Sequence, residues 1–182
     1  MRPDGNCRVC MVEIEGERVL QPSCVRTVTD GMIINTSTER VNHSQKLVLE
    51  LLTSDVSEEV YTQDNELTTW ANKLQIQPHR FPSNIQDKCD TSHPAITVNL
   101  SACIQCTRCV RACREEQVND VIGYAHRGIK SEIVFDINDP MGESTCVGCG
   151  ECVQACPTGA LMPSKEVGLT IPDKKEESVC PY

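Results

Sequence analysis

From Met11 the chain reads Met-Val-Glu-Ile-Glu, apolar and polar in alternation, which is the period of a half-buried strand. Gly16 supplies a turn and Arg18-Val-Leu returns, so the pattern predicts a hairpin with Cys10 at its entrance and Cys24 just beyond it. Asp30-Gly31 is a second turn signal, leading into Met32-Ile-Ile. The period then changes. Leu47, Val48, Leu51 and Leu52 fall on one face of a helix over 42–53, and Val60, Leu67, Trp70, Ala71 and Leu74 keep near-helical spacing over 57–76, before Pro78 and Pro82. Residues 77–95 show no period and read as an irregular connection. Further on, Gly123–Pro140 holds one strand pattern, Glu132-Ile-Val-Phe, and Pro163–Ser178 is charged, without aromatics, and reads as a linker. Strands and helices in separate stretches predict an α+β fold.

Composition sharpens this picture in one direction. Only 3% of the 182 residues are aromatic, too few for one large core, while the cysteines number 13. Small cores cross-linked by metal are expected, with the metal-free chain largely unfolded. There is no signal peptide pattern and no apolar run long enough to span a membrane, which predicts a cytoplasmic chain whose clustered thiols bind metal rather than pair as disulfides. The net charge of −9 argues against a nucleic-acid surface.

The cysteines carry the chemistry. Cys103–Cys113 reads CIQCTRCVRAC and Cys146–Cys156 reads CVGCGECVQAC, followed by Pro157. Both are C-x2-C-x2-C-x3-C, the run that holds 4Fe–4S clusters in two-cluster ferredoxins, where the fourth cysteine of each run ligates the other cluster. This assigns Cys103, Cys106, Cys109 and Cys156 to a first cluster, and Cys146, Cys149, Cys152 and Cys113 to a second. Zinc is the alternative, but zinc sites are built from two C-x2-C pairs and leave the third cysteine of each run unexplained. Arg108, Arg111 and Arg114 flank the first run, whereas Gly150 and Glu151 lie in the second. Positive charge favours a reduced cluster, so the Cys103 set is predicted to have the higher potential, unless these arginines are spent in surface ion pairs.

Cys7, Cys10 and Cys24 form a looser C-x2-C-x13-C trio on the β-rich segment. It suggests a 2Fe–2S site, which needs a fourth thiolate, with zinc again the alternative. Cys89 is the spare cysteine nearby and reads as a free thiol, and Cys180-Pro181-Tyr182 looks like the opening of a further cluster motif.

Together these motifs resemble the iron–sulfur region of the large subunit of NAD-dependent molybdenum or tungsten formate dehydrogenases. The stretches that carry the resemblance are Asp4-Gly-Asn-Cys-Arg-Val-Cys-Met-Val-Glu-Ile-Glu-Gly, His93-Pro-Ala-Ile-Thr-Val-Asn-Leu, CIQCTRCVRACREEQVNDVIGYAHRG and STCVGCGECVQACPTGALMP. It implies a truncated 2Fe–2S ferredoxin-like domain over 1–41, a helical connector over 42–95, a two-cluster ferredoxin-type α+β domain over 96–165, and over 166–182 a linker with the start of the next cluster motif. It also implies a missing 2Fe–2S cysteine about eleven residues before Cys7, a further 4Fe–4S cluster begun at Cys180, and a metal–bis-pterin centre beyond it. Formate would be oxidised at that centre, and electrons would leave through the clusters to a flavin- and NAD-binding subunit. The related large subunits of complex I and iron-only hydrogenases, the alternative reading, carry another cluster held by one histidine and three cysteines. Residues 25–102 hold only Cys89, so that site is not expected here, and His43, His79 and His93 read as structural or surface residues.

Overall fold

The computed structural model describes residues 3–57, 65–77, 80–83, 85–86 and 88–168. Val60, Pro78, His79 and Cys180 lie outside the described residues.

Strand β1 (Met11–Ile14) turns Val12 and Ile14 inward and leaves Met11 and Glu13 half-exposed, as its alternation predicts. It sits between β2 (Gln21–Pro22) and β3 (Ile34–Asn35), both antiparallel, with Met11 opposite Pro22 and Ile14 opposite Ile34. The return strand is thus Gln21-Pro22, not Arg18-Val-Leu. After the turn at Gly16 (φ 84°) the chain runs on before pairing resumes, and Val19 is left half-exposed. Helix α1 (Glu39–Ser54) packs on β1. Thr38 caps it: its hydroxyl accepts from the Val41 N–H at 3.3 Å and donates to Glu13 at 2.7 Å, tying helix to strand. This cap starts the helix three residues before the apolar pattern does. The buried apolar positions are Val41 and Leu49, and Leu51, expected inside, is 49% exposed. Helix α2 (Glu66–Lys73), capped by Asn65, buries Leu67 and leaves Trp70 largely in solvent.

The second half is built on an antiparallel sheet of β4 (Cys89–Asp90), β5 (Ile96–Asn99) and β8 (Leu161–Pro163), in the order β4-β5-β8, beside a hairpin of β6 (Ile122–Ala125) and β7 (Glu132–Phe135). The stretch 77–95, expected to be irregular, contributes β4. All four residues of β5 are buried, so Ile96-Thr-Val-Asn alternates in sequence but not in burial. Two short helices, α3 (Arg108–Arg111) and α4 (Glu151–Ala155), pack against each other, and α3 runs into a π-helical turn over Ala112–Glu116.

The core of this half contains Ile96, Val98, Leu100, Val110, Ile122, Ile133, Phe135, Met141 and Leu161. Cys113 and Cys152 are buried within it, and Cys103, Cys109, Cys146 and Cys156 pack against it. A core with a single aromatic side chain among its buried members closes on its own thiols.

Candidate functional site

Each cysteine run folds as a loop that turns into a short helix. The loop supplies the first two cysteines, and the helix carries the third: Cys109 lies in α3 and Cys152 in α4. The fourth sits at or past the helix end, Cys113 in the π-helical turn and Cys156 as the residue closing α4. Because the two helices pack together, each carries its last cysteine away from its own loop.

The consequence is visible in two pockets. One is lined by Cys103, Cys106, Cys109 and Cys156, with Leu100, Ile104, Ile133, Pro157 and Leu161 around them. The other is lined by Cys113, Cys146, Cys149 and Cys152, with Ile96, Val121, Ile122 and Val147. Three thiols from one run and one from the other share each pocket. Among the described residues, no three ligand-type side chains converge on a single ion position. A 4Fe–4S core takes each thiolate on a different iron, so the shared pocket of four thiols in apolar surroundings is the relevant fit, and both sets meet it.

The electrostatics follow the same grouping. Burial pushes the Cys103 thiol up to about 12, with Cys106 and Cys156 adding to it against an opposing hydrogen bond from the Gln105 N–H. Burial likewise takes Cys109 well above its ordinary value, reinforced by Cys103, Cys156, Cys106 and Cys152. Cys152 is pushed up to about 12 by burial, then by Cys146, Cys149 and Cys113. Four thiols crowded in an apolar pocket cannot all ionise on their own, and bound iron would supply the compensating charge.

Both loops need left-handed backbone at the same two positions. In the second run these are Gly148 (φ 68°) and Gly150 (φ 79°), and in the first they are Gln105 (φ 54°) and Thr107 (φ 58°). The turn aims the N–H of the third loop residue at the first sulfur: Gln105 N–H donates to Cys103 Sγ and Gly148 N–H to Cys146 Sγ, each at 3.4 Å. Such N–H···S bonds stabilise a thiolate and tune a cluster. The non-glycine pair is held in its disfavoured conformation by side-chain bonds. Gln105 Nε2 donates to the Ser131 carbonyl at 2.8 Å, and Gln105 Oε1 accepts from the Tyr124 hydroxyl at 2.9 Å. Thr107 Oγ1 accepts from Asn6 Nδ2 at 2.7 Å and lies 3.0 Å from Asp4 Oδ2, to which it can donate. The motif reading did not single out Gln105, Thr107, Asn6 or Asp4. Alignment of the two runs pairs the first two with glycines, and that was the available signal.

The N-terminal trio is also brought together. In Cys24 burial raises the thiol first, with Cys10 and Cys7 adding to it. In Cys10 burial acts upward, but hydrogen bonds from Cys24 and Ser23 outweigh it and hold the thiol below its usual value. A 2Fe–2S cluster takes four thiolates, one more than this trio offers. Cys89 lies exposed in β4, at a groove with Lys88, Asp90, Phe135 and Pro140, away from both four-thiol pockets.

The trio is docked on the first run. Cys7 is among the charges that act on Cys106, after burial and the Arg108 N–H, and Cys152 is among those that act on Cys109. Asn6, beside Cys7, bonds Thr107, beside Cys106, and α3 with Cys109 packs on α4 with Cys152, so the thiol sets follow one another in the order Cys7, Cys106, Cys109, Cys152. Arg111 pairs with Asp4 at 3.2 Å, Arg108 with Glu66 at 3.1 Å and Arg114 with Glu115 at 3.0 Å. The three arginines are spent in ion pairs, the alternative weighed above, and their field at the first set is correspondingly reduced. His93 is structural: buried, its Nδ1 accepts from the N–H groups of Ala95 and Ile96, both at 3.2 Å.

Comparison with known proteins agrees with this geometry. Residues 1–39 match the 2Fe-2S iron-sulfur cluster binding domain, and residues 102–160 match the 4Fe-4S dicluster domain. A subunit of the NADP-reducing hydrogenase of Solidesulfovibrio fructosivorans is 34% identical over 93% of the chain, which spans 31% of that protein. An NADH-quinone oxidoreductase subunit of Rhizobium meliloti is 30% identical over 99% of the chain, which spans 22% of it. A formate dehydrogenase-like protein of Staphylococcus haemolyticus is 29% identical over 89% of the chain, which spans 17% of it. The crystal structure of an NAD+-reducing [NiFe]-hydrogenase in the H2-reduced state shares the fold, with a TM-score of 0.83 at 24% identity, over 93% of this chain and 74% of that one. No helix among the described residues is long and apolar enough to cross a membrane. The chain is thus an iron–sulfur electron-transfer region, with a 2Fe–2S and a 4Fe–4S dicluster domain, homologous to those of NADP-reducing hydrogenase, NADH-quinone oxidoreductase and formate dehydrogenase-like proteins.

Proposed function

We propose that this chain is the electron relay of a formate-oxidising, NAD-linked complex. Cys103, Cys106, Cys109 and Cys156 hold one 4Fe–4S cluster, and Cys113, Cys146, Cys149 and Cys152 hold the other. Cys7, Cys10 and Cys24 supply three ligands of a 2Fe–2S cluster, and Cys180 opens the motif of a further 4Fe–4S cluster. When bound, these clusters supply one-electron redox chemistry. The chain's own part is placement. The loops aim N–H groups at sulfur, apolar side chains line both four-thiol pockets, and the ion pairs of Arg108 and Arg111 fasten neighbouring elements to the first run.

The observation that carries the relay reading is the continuity of the thiol sets: Asn6, beside Cys7, bonds Thr107, beside Cys106, and α3 with Cys109 packs on α4 with Cys152. Formate as the source, a molybdenum or tungsten bis-pterin centre as the site of its oxidation and a flavin- and NAD-binding subunit as the destination are supported by the motif resemblance and the formate dehydrogenase-like relatives. A second reading, the relay of a hydrogenase or complex I-like enzyme, is favoured by the 34% identity to the hydrogenase subunit. Against it, residues 25–102 hold Cys89 alone, too few thiols for the extra cluster of one histidine and three cysteines.

The complex purified anaerobically from its source decides between them. Formate should reduce the clusters, seen by electron paramagnetic resonance, and hydrogen alone should not. Reduction by hydrogen and none by formate would reverse the assignment.

A further inference from the structure

Two of the loops described above meet at the Thr107 hydroxyl. Asn6 immediately precedes Cys7, and Thr107 immediately follows Cys106. Asn6 Nδ2 donates to Thr107 Oγ1 at 2.7 Å, spanning 101 positions of sequence. Thr107 is buried although its backbone is left-handed (φ 58°), so this side chain is fixed at a cost to the local backbone. Its hydroxyl is further bracketed by Asp4 Oδ2 at 3.0 Å and the Cys106 carbonyl at 2.8 Å. Beside the contact the two loops are separated by a cleft of about 440 Å³ whose lining includes Asn6, Cys7, Cys103, Gln105 and Thr107.

We propose that Asn6 and Thr107 are positioning residues for electron transfer, and that their hydrogen bond is the electronic bridge between the Cys7 trio and the Cys103 set. Electronic coupling falls off faster across an open gap than along bonds and hydrogen bonds. Here the cleft is the gap. The bonded route runs from the Cys7 backbone through the Asn6 amide to the Thr107 hydroxyl, and from there along one peptide unit to Cys106. With clusters bound by these thiols, the exchange would be of one electron: the Cys103 set would hold the group that is oxidised and the trio the group that is reduced. No bond is broken and no proton leaves the bridge. The second run has Gly150 at the position of Thr107, which offers no side chain for such a contact. This explains why one loop carries a threonine where its repeat relaxes to glycine.

The inference rests on the iron–sulfur reading above, and the test separates the two. The full chain as its source makes it is purified anaerobically as wild type, Asn6→Leu, Thr107→Val and Thr107→Ser. Iron and sulfide content and the potential of each cluster are measured first. Electron exchange is then followed after photoreduction with a flavin reductant, and the dipolar broadening between the two clusters is recorded as a ruler of their separation. The expected result is loss of the fast exchange phase in Asn6→Leu and Thr107→Val, with cluster content, potentials and broadening unchanged, and recovery of that phase in Thr107→Ser. Unchanged exchange in fully loaded variants would overturn the inference alone. Slower exchange accompanied by lost broadening would overturn it too, because the contact would then merely hold the two loops together. Absence of clusters from the wild-type chain would overturn the iron–sulfur reading and the bridge with it.

Discussion

Gln105 offers a sharp perturbation because two effects at one residue oppose each other. Its left-handed backbone (φ 54°) costs a non-glycine residue about 1 kcal/mol. Its side chain makes two hydrogen bonds, to the Ser131 carbonyl at 2.8 Å and from the Tyr124 hydroxyl at 2.9 Å, worth roughly 1 kcal/mol each. Gln105→Ala keeps the strain and loses both bonds, a loss of about 2 kcal/mol. Gln105→Gly loses the same bonds but relaxes the backbone, a net loss of about 1 kcal/mol. Native-state amide exchange across the Cys103–Cys109 loop reads this as local opening, without needing reversible global unfolding. Protection should fall about 5-fold in Gln105→Gly and about 30-fold in Gln105→Ala. Gln105→Ala as well protected as Gln105→Gly would refute the reasoning, because the loop would then carry no strain for glycine to relieve.

The cross-ligated sets predict a pairing of phenotypes: Cys156→Ser should reproduce the spectrum of Cys106→Ser, and Cys113→Ser that of Cys149→Ser, in electron paramagnetic resonance of the reduced protein. If Cys113→Ser grouped with Cys106→Ser instead, the assignment would fail. The double variant Arg108→Gln/Arg111→Gln should lower the potential of the Cys103 cluster in a redox titration, by less than two bare charges would, because Glu66 and Asp4 already offset them; an unmoved potential would show the pairs to be electrostatically neutral there. His93→Ala should cost roughly 2 kcal/mol in thermal or denaturant stability by orphaning the Ala95 and Ile96 N–H groups, with cluster spectra unchanged; loss of a cluster signal would make His93 more than structural.

The thiol pattern was legible because cluster ligation imposes spacing directly on sequence, and the four-thiol pockets form around those same residues. The strand at Glu132–Phe135 was legible for a similar reason, being a clean apolar run between turn signals. β5 was not: Ile96-Thr-Val-Asn alternates over only four residues beside the cysteine run, and its polar members Thr97 and Asn99 are buried with the apolar ones. α1 was placed three residues late because Thr38 caps it by a hydrogen bond rather than by hydrophobicity, and its inward face was misjudged because β1 and α2 both pack on it, and the buried positions are Val41 and Leu49 rather than Leu51. The bonds that pin the first cluster loop join Thr107 to Asn6 and Gln105 to Tyr124 and Ser131, across long sequence separations, and a reading of local periodicity has no access to such pairs. What the sequence did hold was the mismatch between Gln105 and Thr107 and the glycines of the second run.

Iron and acid-labile sulfide analysis of the chain, expressed and purified without oxygen, tests the relay most directly. The account predicts a brown protein with iron and sulfide in equal amounts, about 8 of each from the two four-thiol pockets and more where the 2Fe–2S site is filled. A colourless protein without iron, or one holding zinc at its cysteines without sulfide, would contradict it.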